Sequence, residues 1–246
     1  MVHTTLNDVP TSEIKFLVDS VLAARIRAWA RAHGSPDPHG RGEDNDEYEA
    51  CTLYFDTAEL DVLERRGSFA RAKYRVRRYG DADAIFFERK LRRPGFLIKR
   101  RVACPIDRLD LLNATDEVRG WRGEWFHRRL RVRCLRPVCQ VSYLRMARQF
   151  TSRDGFMRLT VDTELRVRAT DEARFSADAA RPFLESQAIV EVKTGTTVPA
   201  LCRRLVEEFA LNPHNASKYR LGMTWLGHGE PQTRASRLAR SGAMHA

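Results

Sequence analysis

Charged side chains recur at every second position along several segments of this chain, and most of them are cations. The clearest segment is residues 69–79, where Lys73, Arg75 and Arg77 share one face. A period of two is that of a β-strand, because successive side chains of a strand point to opposite faces. The pattern therefore predicts strands that have one apolar face and one basic face.

Eight strands are predicted in all, and one of them, residues 51–56, is recognised by its aromatic and β-branched residues. The remaining six repeat the alternation, and their charged or polar faces carry Glu13 and Lys15 in 13–18, Glu88 and Lys90 in 84–91, Lys99 and Arg101 in 96–103, Tyr143 and Arg145 in 140–150, Arg158, Thr160, Asp162 and Glu164 in 156–168, and Glu191 and Lys193 in 188–194.

On any single strand such charges would simply mark the solvent-exposed face of a sheet. Repeated over so many strands, they are better explained by a closed barrel whose apolar faces pack outward against helices and whose charged faces line a lumen. Like charges in one enclosed space repel each other strongly unless anions join them. We therefore expect an α+β fold, a closed antiparallel eight-stranded β tunnel barrel with helices outside, that binds anions.

The overall charge agrees with this expectation. Forty-three Lys and Arg against 32 Asp and Glu give a formal charge of +11, a field that attracts nucleic acid, anionic lipid or a small polyphosphate. The hydrophobic fraction of 43% and the charged fraction of 30% are those of a globular protein, which excludes a wholly disordered chain. Only six residues are lysines, and none lies on a predicted helix: Lys15, Lys73, Lys90, Lys99, Lys193 and Lys218.

Helices are predicted over residues 21–32 and 198–211 from their apolar stripes, with a mostly helical middle over 107–133. Residues 35–49 are rich in Gly, Pro and acids and are predicted to be a flexible loop, in which the acidic run 43–49 is solvated. A single domain, 11–223, and a disordered tail, 224–246, complete the expected organisation.

The cysteines and the N-terminus bear on the compartment. The five cysteines are widely spread, without a close pair or a histidine cluster at zinc-ligand spacing, and are predicted to be reduced, buried thiols. Residues 1–10 lack the basic segment followed by an apolar segment that is typical of a secretory signal. No run of apolar residues approaches the length of a membrane span. We expect a soluble, cytoplasmic protein.

Several polar residues have simpler explanations than catalysis. Glu88 is expected to be the ion-pair partner of Lys90 or of a cation on a neighbouring strand. Asp56 and Thr57 are expected to end a strand and cap the helix that follows. His127 and His214 are expected to be surface or cap residues.

Nine short motifs occur in a recognisable order: EIKF from Glu13, LYFDT from Leu53, KYRVR from Lys73, FERK from Phe87, IKRR from Ile98, YLR from Tyr143, RLTVD from Arg158, VEVK from Val190 and SKY from Ser217. In this order they resemble the VTC domain, the polyphosphate polymerase domain of the vacuolar transporter chaperone proteins, within the triphosphate tunnel, or CYTH-like, superfamily. The resemblance covers about residues 11–223.

The resemblance implies a tunnel that holds a triphosphate or polyphosphate together with Mn²⁺ or Mg²⁺. It implies that Glu191 binds the metal, that Arg75, Arg77, Lys99, Arg145 and Arg158 act in the transfer, and that Lys15, Lys90, Lys193, Lys218 and Tyr143 bind the substrate. Tyr143 would either orient an arginine or simply pack. The tunnel hydrolases often carry a second glutamate where this chain has Thr11, and its loss favours phosphate transfer over hydrolysis.

These residue types suit phosphoryl transfer, which needs positioning and charge neutralisation but no protein nucleophile. Our hypothesis is that ATP enters one end of the tunnel, that its γ-phosphoryl group joins a phosphate chain, and that the polymer leaves by the other end. Asp162 or Glu164 could assist Glu191 with the metal.

Two other classes remain open at this stage. One is a metal-dependent hydrolase of inorganic triphosphate or nucleoside triphosphates, and the other is a binding module for polyphosphate or nucleotide. Nucleic acid is disfavoured, because the chain lacks the aromatic motifs of the common RNA-binding modules. A membrane partner protein that receives the product and the oligomeric state are both left open.

Overall fold

The computed structural model describes residues 12–38, 40–93, 96–114, 116 and 118–229. Its strands are β1 Ser12–Asp19, β2 Ser35–Pro36, β3 Glu47–Asp56, β4 Ala72–Tyr79, β5 Ala84–Arg93, β6 Phe96–Pro105, β7 Arg136–Ser152, β8 Gly155–Ala169, β9 Arg181–Pro182 and β10 Gln187–Thr194. Its α-helices are α1 Ser20–His33, α2 Asp61–Glu64, α3 Glu124–Val132, α4 Ala200–Glu208 and α5 Lys218–Trp225, and 3₁₀ segments cover Gly67–Phe69 and Ile106–Asn113.

Eight of these strands form one antiparallel sheet in the order β1, β10, β8, β7, β3, β4, β5, β6. The two-residue strands β2 and β9 are additions that pair with β7 and β8. In the described residues no backbone pairing joins β1 to β6, so the ladder is open between them.

The sheet is nevertheless rolled up. Lys90 of β5 and Glu13 of β1 are six strands apart in the sheet order, which would separate them by ~29 Å in a flat sheet. Their side chains lie 3.4 Å apart. The predicted eight-stranded tunnel barrel is thereby confirmed, with the basic faces of the strands turned inward.

The apolar strand faces pack outward against helices, as predicted. Phe16 of β1 and Val190 of β10 pack with Ile26 of α1 and Leu205 of α4. On the other side of the barrel, Phe126 of α3 packs against aromatic residues of β3, β4 and β5. This burial of apolar surface on the outside leaves the inner wall free to be polar.

Helix α5, which the sequence did not predict, lies on the inner wall at one end of the barrel. Val141 and Val167 pair with each other and lie on the same side of the sheet as Thr52. A Cβ on Gly222 would be 3.0 Å from Val167 and 3.4 Å from Val141, so α5 approaches this wall as closely as a glycine permits. Tyr219 of α5 is buried and donates a hydrogen bond to Asp56. The helix therefore fills this end of the tunnel.

Other segments differ from the predictions in their bounds. The helical middle is divided into the 3₁₀ segment and α3, and the helix predicted over 198–211 is shorter, as α4. Helix α5 continues past the predicted domain end at 223, whereas residues 230–246 of the expected tail and Thr11 lie outside the described residues. No described helix is both long and apolar enough to span a lipid bilayer.

We predicted that the acidic run 43–49 is solvated, and this prediction is wrong for one of its carboxylates, that of Asp46. Asp46 is 0% exposed and accepts hydrogen bonds from Arg31 and Arg148. Burial raises the pKa of Asp46, but the two guanidinium groups outweigh it and lower the pKa. Strand β3 begins directly after Asp46, at Glu47, inside the predicted loop.

Two smaller predictions are also corrected. Cys134 is exposed and Cys51 only half-buried, although all five cysteines are free. His127 is not a surface residue, since it is 2% exposed on α3. Asp56 ends β3 and accepts hydrogen bonds from the backbone of Val62 and Leu63 at the start of α2, as a capping carboxylate does, although Leu60 occupies the N-cap position itself.

Candidate active site

The inner wall brings together all the predicted site residues. Its cations come from seven strands and α5, and they include every lysine of the chain: Lys15, Lys73, Arg75, Arg77, Lys90, Lys99, Arg101, Arg145, Arg158, Lys193 and Lys218. An arginine-rich chain thus keeps lysine only where it faces the tunnel. The described carboxylates among them are fewer: Glu13, Asp37, Glu88, Asp162 and Glu191.

The first group of charges lies where β1 pairs with β10. The Lys15 Nζ is 2.8 Å from Glu13 and 3.6 Å from Glu191, and the Lys193 Nζ is 2.7 Å from Glu191 and 3.8 Å from Glu13. Burial and the charge of Glu191 raise the pKa of Glu13, but Lys90, Lys15 and Lys193 outweigh both effects and lower the pKa to about 2. Two ionised carboxylates therefore face each other across two ammonium groups.

The second group surrounds Glu88, which is 1% exposed. Its carboxylate lies 2.6 Å from the Arg75 Nε, 3.4 Å from the Lys99 Nζ and 3.4 Å from the Arg101 Nε. Burial would raise the pKa of Glu88, but these cations hold it well below its ordinary value. Glu88 thus pairs with cations of neighbouring strands, as one of our two expectations had it, while Lys90 turns to Glu13 instead.

The third group is centred on Asp162, which is 0% exposed. Arg145 donates two hydrogen bonds to its carboxylate, at 2.6 and 2.8 Å, and Lys218 donates another. Burial raises the pKa of Asp162, but Arg145 and Lys218 bring it down to about 2. The Tyr143 ring faces both cations, at 5.3 Å from Arg145 and 4.6 Å from Lys218, which makes it an orienting residue as well as a packed one.

Two arginines are placed toward the end opposite α5. Arg158 donates to Asp37 at 2.7 Å and to the Tyr48 hydroxyl at 2.9 Å. Arg77 donates to the Thr52 hydroxyl at 3.0 Å, and no described carboxylate lies within ion-pair distance of it. Arg77 is thus a buried cation that forms no ion pair with a described carboxylate, so it can bind an anionic substrate.

Lys73 and Tyr79 also face the tunnel, and the predicted site omitted both. Burial and the cations Lys15, Arg220, Lys90 and Arg75 lower the pKa of Lys73 to about 7. Burial would raise the pKa of Tyr79, but Arg77 and Arg101 lower it to about 7. Position alone could have suggested Lys73, since it shares the face of Arg75 and Arg77.

Glu164, expected to share this face with Asp162, is instead exposed on the outside. The register between β7 and β8 shifts next to it, at residues 142–144, and Glu164 itself has a φ of 51°. A bulge of this kind turns the following side chains to the other face. The proposed help of Glu164 to a metal is therefore wrong, whereas Asp162 lies inside the tunnel.

The residues present fit a divalent cation in one place. The described residues contain no cluster of three or more His, Cys, Asp or Glu that could hold a metal alone. Mg²⁺ and Mn²⁺ are, however, commonly held by one or two carboxylates together with phosphate oxygens of the substrate. Glu191 and Glu13 provide such a pair, and Glu13 is a candidate ligand that the sequence reasoning missed because its closeness to Glu191 depends on the pairing of β1 with β10.

The charge of Lys73 predicts how stability varies with pH. The unfolded chain holds this proton up to about pH 10.5 and the folded protein only to about pH 7, so between these values the unfolded state binds more protons. The free protein should therefore gain stability as pH rises from about 6.5 to 8.5. Calorimetry should show the melting temperature rising by several degrees, roughly 2–4 °C per kcal/mol.

The same melting series with Lys73→Met, or with tripolyphosphate, provides the control. The variant lacks the proton, and the anion stabilises the ammonium form, so both slopes should become smaller. Tyr79, whose pKa is also lowered to about 7, contributes to the slope that remains. A slope that is unchanged in Lys73→Met would contradict the assignment.

An antiparallel barrel whose inner wall is lined by cations in excess of its carboxylates defines a triphosphate tunnel protein. The sequence profile of the VTC domain matches residues 11–226, and the chain belongs to this family. The match extends three residues beyond the predicted domain end and includes the whole of α5.

Solved structures resemble this fold at low sequence identity. A Bacillus halodurans protein described as a candidate adenylate cyclase aligns with a TM-score of 0.51 and 15% identity, over 83% of this chain and 92% of that one. A candidate adenylyl cyclase from Hippeastrum, described as having a dominant triphosphatase activity, aligns with a TM-score of 0.49 and 16% identity, over 89% and 97%. At such identity the first likeness bears on the fold alone. Among curated proteins no sequence relative was found.

Proposed function

We propose that this VTC domain is a polyphosphate polymerase, which transfers the γ-phosphoryl group of ATP to the end of a phosphate chain inside the tunnel. The observation that carries the proposal is the uncompensated positive charge of the inner wall. A phosphate chain supplies many negative charges along a line, which suits cations that are spread over several strands. The VTC family supports the same substrate class.

The state of the tunnel carboxylates favours transfer over hydrolysis. An effective general base has a pKa near the working pH. Glu13, Glu88, Asp162 and Glu191 all have pKa values below their ordinary ones, because neighbouring cations outweigh burial, so each is a weak base for activating water. The end of a phosphate chain is already ionised near neutral pH and needs no base.

The cations of the tunnel would have two roles, which are to bind the transferred phosphoryl group and to hold the rest of the substrate. Arg75, Arg77, Arg145, Arg158 and Lys99 would bind the oxygens of the transferred group and its neighbours, where guanidinium forks can hold two oxygens each. The lysines would hold the rest of the substrate: Lys15, Lys90, Lys193 and Lys218. Bound by Glu191 and Glu13, Mn²⁺ or Mg²⁺ would supply charge neutralisation at the phosphate oxygens.

The route of the chain differs from the two-ended passage that the sequence suggested. Helix α5 packs on the inner wall at one end, so passage there requires the displacement of Tyr219 and its neighbours. The other end carries Arg158, Tyr48 and Tyr79. We propose that ATP enters and the growing chain leaves by this second end.

One incubation tests the function. The purified protein with ATP and Mn²⁺ should yield ADP together with acid-labile phosphate chains that migrate as a ladder in gels. Orthophosphate with ADP, without chains, would instead identify a hydrolase, and unchanged ATP with a raised melting temperature would identify a binding module. Either result would overturn the polymerase.

The metal site gives a separate prediction. Glu191→Gln is expected to raise the Mn²⁺ concentration for half-maximal activity by about tenfold or more, and Glu13→Gln should have the same direction, because each removes one of two charged ligands. Activity and tripolyphosphate-dependent Mn²⁺ binding by calorimetry measure it.

Glu185→Gln is the matched control, since Glu185 is exposed just before β10. Its metal dependence should equal that of the wild type. An unchanged Mn²⁺ titration in Glu191→Gln would remove that residue from the metal site.

A further inference from the structure

Lys73 and Ser217 form a contact in the tunnel that the proposed transfer does not use. The Lys73 Nζ lies 3.0 Å from the Ser217 Oγ, where β4 faces the beginning of α5. Ser217 immediately precedes α5, yet its side chain makes no capping hydrogen bond to the helix. In the described part of the chain, the amine of Lys73 is the hydrogen-bond partner of this hydroxyl, which is 8% exposed.

Lys73 differs from the other lysines of the inner wall in its surroundings. Each of the other five lies within ion-pair distance of a carboxylate, as the three groups above describe. For Lys73 no described carboxylate lies at that distance. The charged groups that face it are cations from every neighbouring element: Lys15 of β1, Arg75 of β4, Lys90 of β5 and Arg220 of α5.

These surroundings shift the protonation equilibrium of Lys73 from the ammonium toward the neutral amine. Repulsion from several cations, together with burial, favours the neutral form of a lysine, in agreement with its pKa of about 7. A neutral amine beside a serine hydroxyl is a known arrangement for activating serine as a nucleophile. Here the pair lies inside a tunnel that is suited to binding triphosphates.

We propose that Ser217 is a phosphoryl acceptor and that Lys73 is its general base, so that the protein phosphorylates itself from a nucleoside triphosphate bound in the tunnel. The inference rests on the proposed function in one respect, since it needs ATP in the tunnel as the donor. It adds a covalent step that transfer between ATP and a phosphate chain does not require.

The Ser217 Oγ bonds to the γ-phosphorus, the bond from that phosphorus to the bridging oxygen breaks, and ADP leaves with the electron pair. The hydroxyl proton passes to the Lys73 Nζ. The ammonium that results lies beside the new phosphoserine, so the charge created on the serine is neutralised where it forms.

A phosphoserine at this position would give the polymerase a starting point. Chain growth needs a phosphate to extend, and a free protein in ATP alone has no chain. Phosphoserine 217 would present that first acceptor oxygen within reach of Arg75 and Lys90, which flank Lys73.

The experiment combines mass spectrometry with the product assay. The full chain is incubated with ATP and Mn²⁺, its intact mass and phosphopeptides are measured, and polyphosphate is quantified in the same samples. We expect one or more added phosphoryl groups, attached through Ser217 and absent from Ser217→Ala. Thr160→Val is the matched control, because Thr160 places a second buried hydroxyl on the inner wall without an amine, and it should keep the modification.

Lys73→Arg separates the base from a simple phosphate-binding cation. Arginine keeps the positive charge but cannot be deprotonated, so the initial rate of phosphorylation should fall by about 10²-fold or more. Tripolyphosphate should still raise the melting temperature of this variant, which shows that it is folded and binds anions.

Three results would count against the inference. Polyphosphate formed without any phosphorylated Ser217 would refute it and leave the polymerase standing, whereas the absence of both products would refute both. Normal phosphorylation of Lys73→Arg would remove Lys73 as the base.

Discussion

Arg77→Ala is expected to lower kcat for ATP turnover by about 10²-fold or more, with a free protein that melts no lower than the wild type. Loss of one preorganised donor to a developing negative charge has effects of this size. Arg77 has no described carboxylate within ion-pair distance and hydrogen-bonds to Thr52 and Tyr79, while the charge of Arg75 lies nearby on the same strand. Removal of such a cation relieves repulsion in the free tunnel and costs binding only when phosphate is present.

Steady-state kinetics and melting curves with and without tripolyphosphate measure both parts of this prediction. Arg78→Ala is the matched control, because Arg78 is the next residue of β4, lies on the outer face and donates to the backbone of Ala82. It should keep its turnover. A large fall in the melting temperature of free Arg77→Ala would show that Arg77 supports the fold instead.

Arg75→Ala should behave differently, and the contrast is informative. Arg75 is the nearest partner of buried Glu88, at 2.6 Å, although Lys99 and Arg101 remain beside that carboxylate. We therefore expect loss of turnover together with a modest loss of stability.

Asp162→Asn is expected to destabilise the free protein by about 3–5 kcal/mol, the usual effect of breaking a buried ion pair. The change leaves Arg145 and Lys218 as buried cations without their shared carboxylate. The melting temperature should fall by roughly 10 °C. Chemical denaturation provides the free energy of unfolding directly.

Glu164→Gln is the control for this variant, since it removes a carboxylate two residues along β8 that points to solvent, and it should change stability by less than about 0.5 kcal/mol. Tripolyphosphate should restore part of the stability of Asp162→Asn, because its oxygens can replace the missing carboxylate. A loss of less than about 1 kcal/mol in Asp162→Asn would mean that the two cations find other partners.

Much of the barrel could be predicted because strand periodicity is a local property. Lys73, Arg75 and Arg77 alternate with apolar residues whatever the rest of the chain does, and the strand predicted from them forms as β4. The prediction failed where a local irregularity broke the period, as at Glu164, whose outward direction depends on a bulge that no residue type announces.

The partners of the charged residues could not be predicted in the same way. Glu13 and Glu191 are 178 positions apart and meet because β1 pairs with β10 in one particular register. Asp46 looked like part of an acidic surface run, yet Arg31 and Arg148 bury it. Contacts of this kind depend on the closure of the sheet.

The sequence by itself determined that the chain forms strands with basic faces and that those faces need anions, because alternation and charge are fixed by the order of the residues. Only the tertiary structure decided which cations are neutralised by carboxylates, which remain open, and that α5 occupies one end of the tunnel. The reason is that a Coulomb interaction depends on distance and burial, and both are set when the barrel rolls up and brings strands that are remote in the sheet to within a few ångströms.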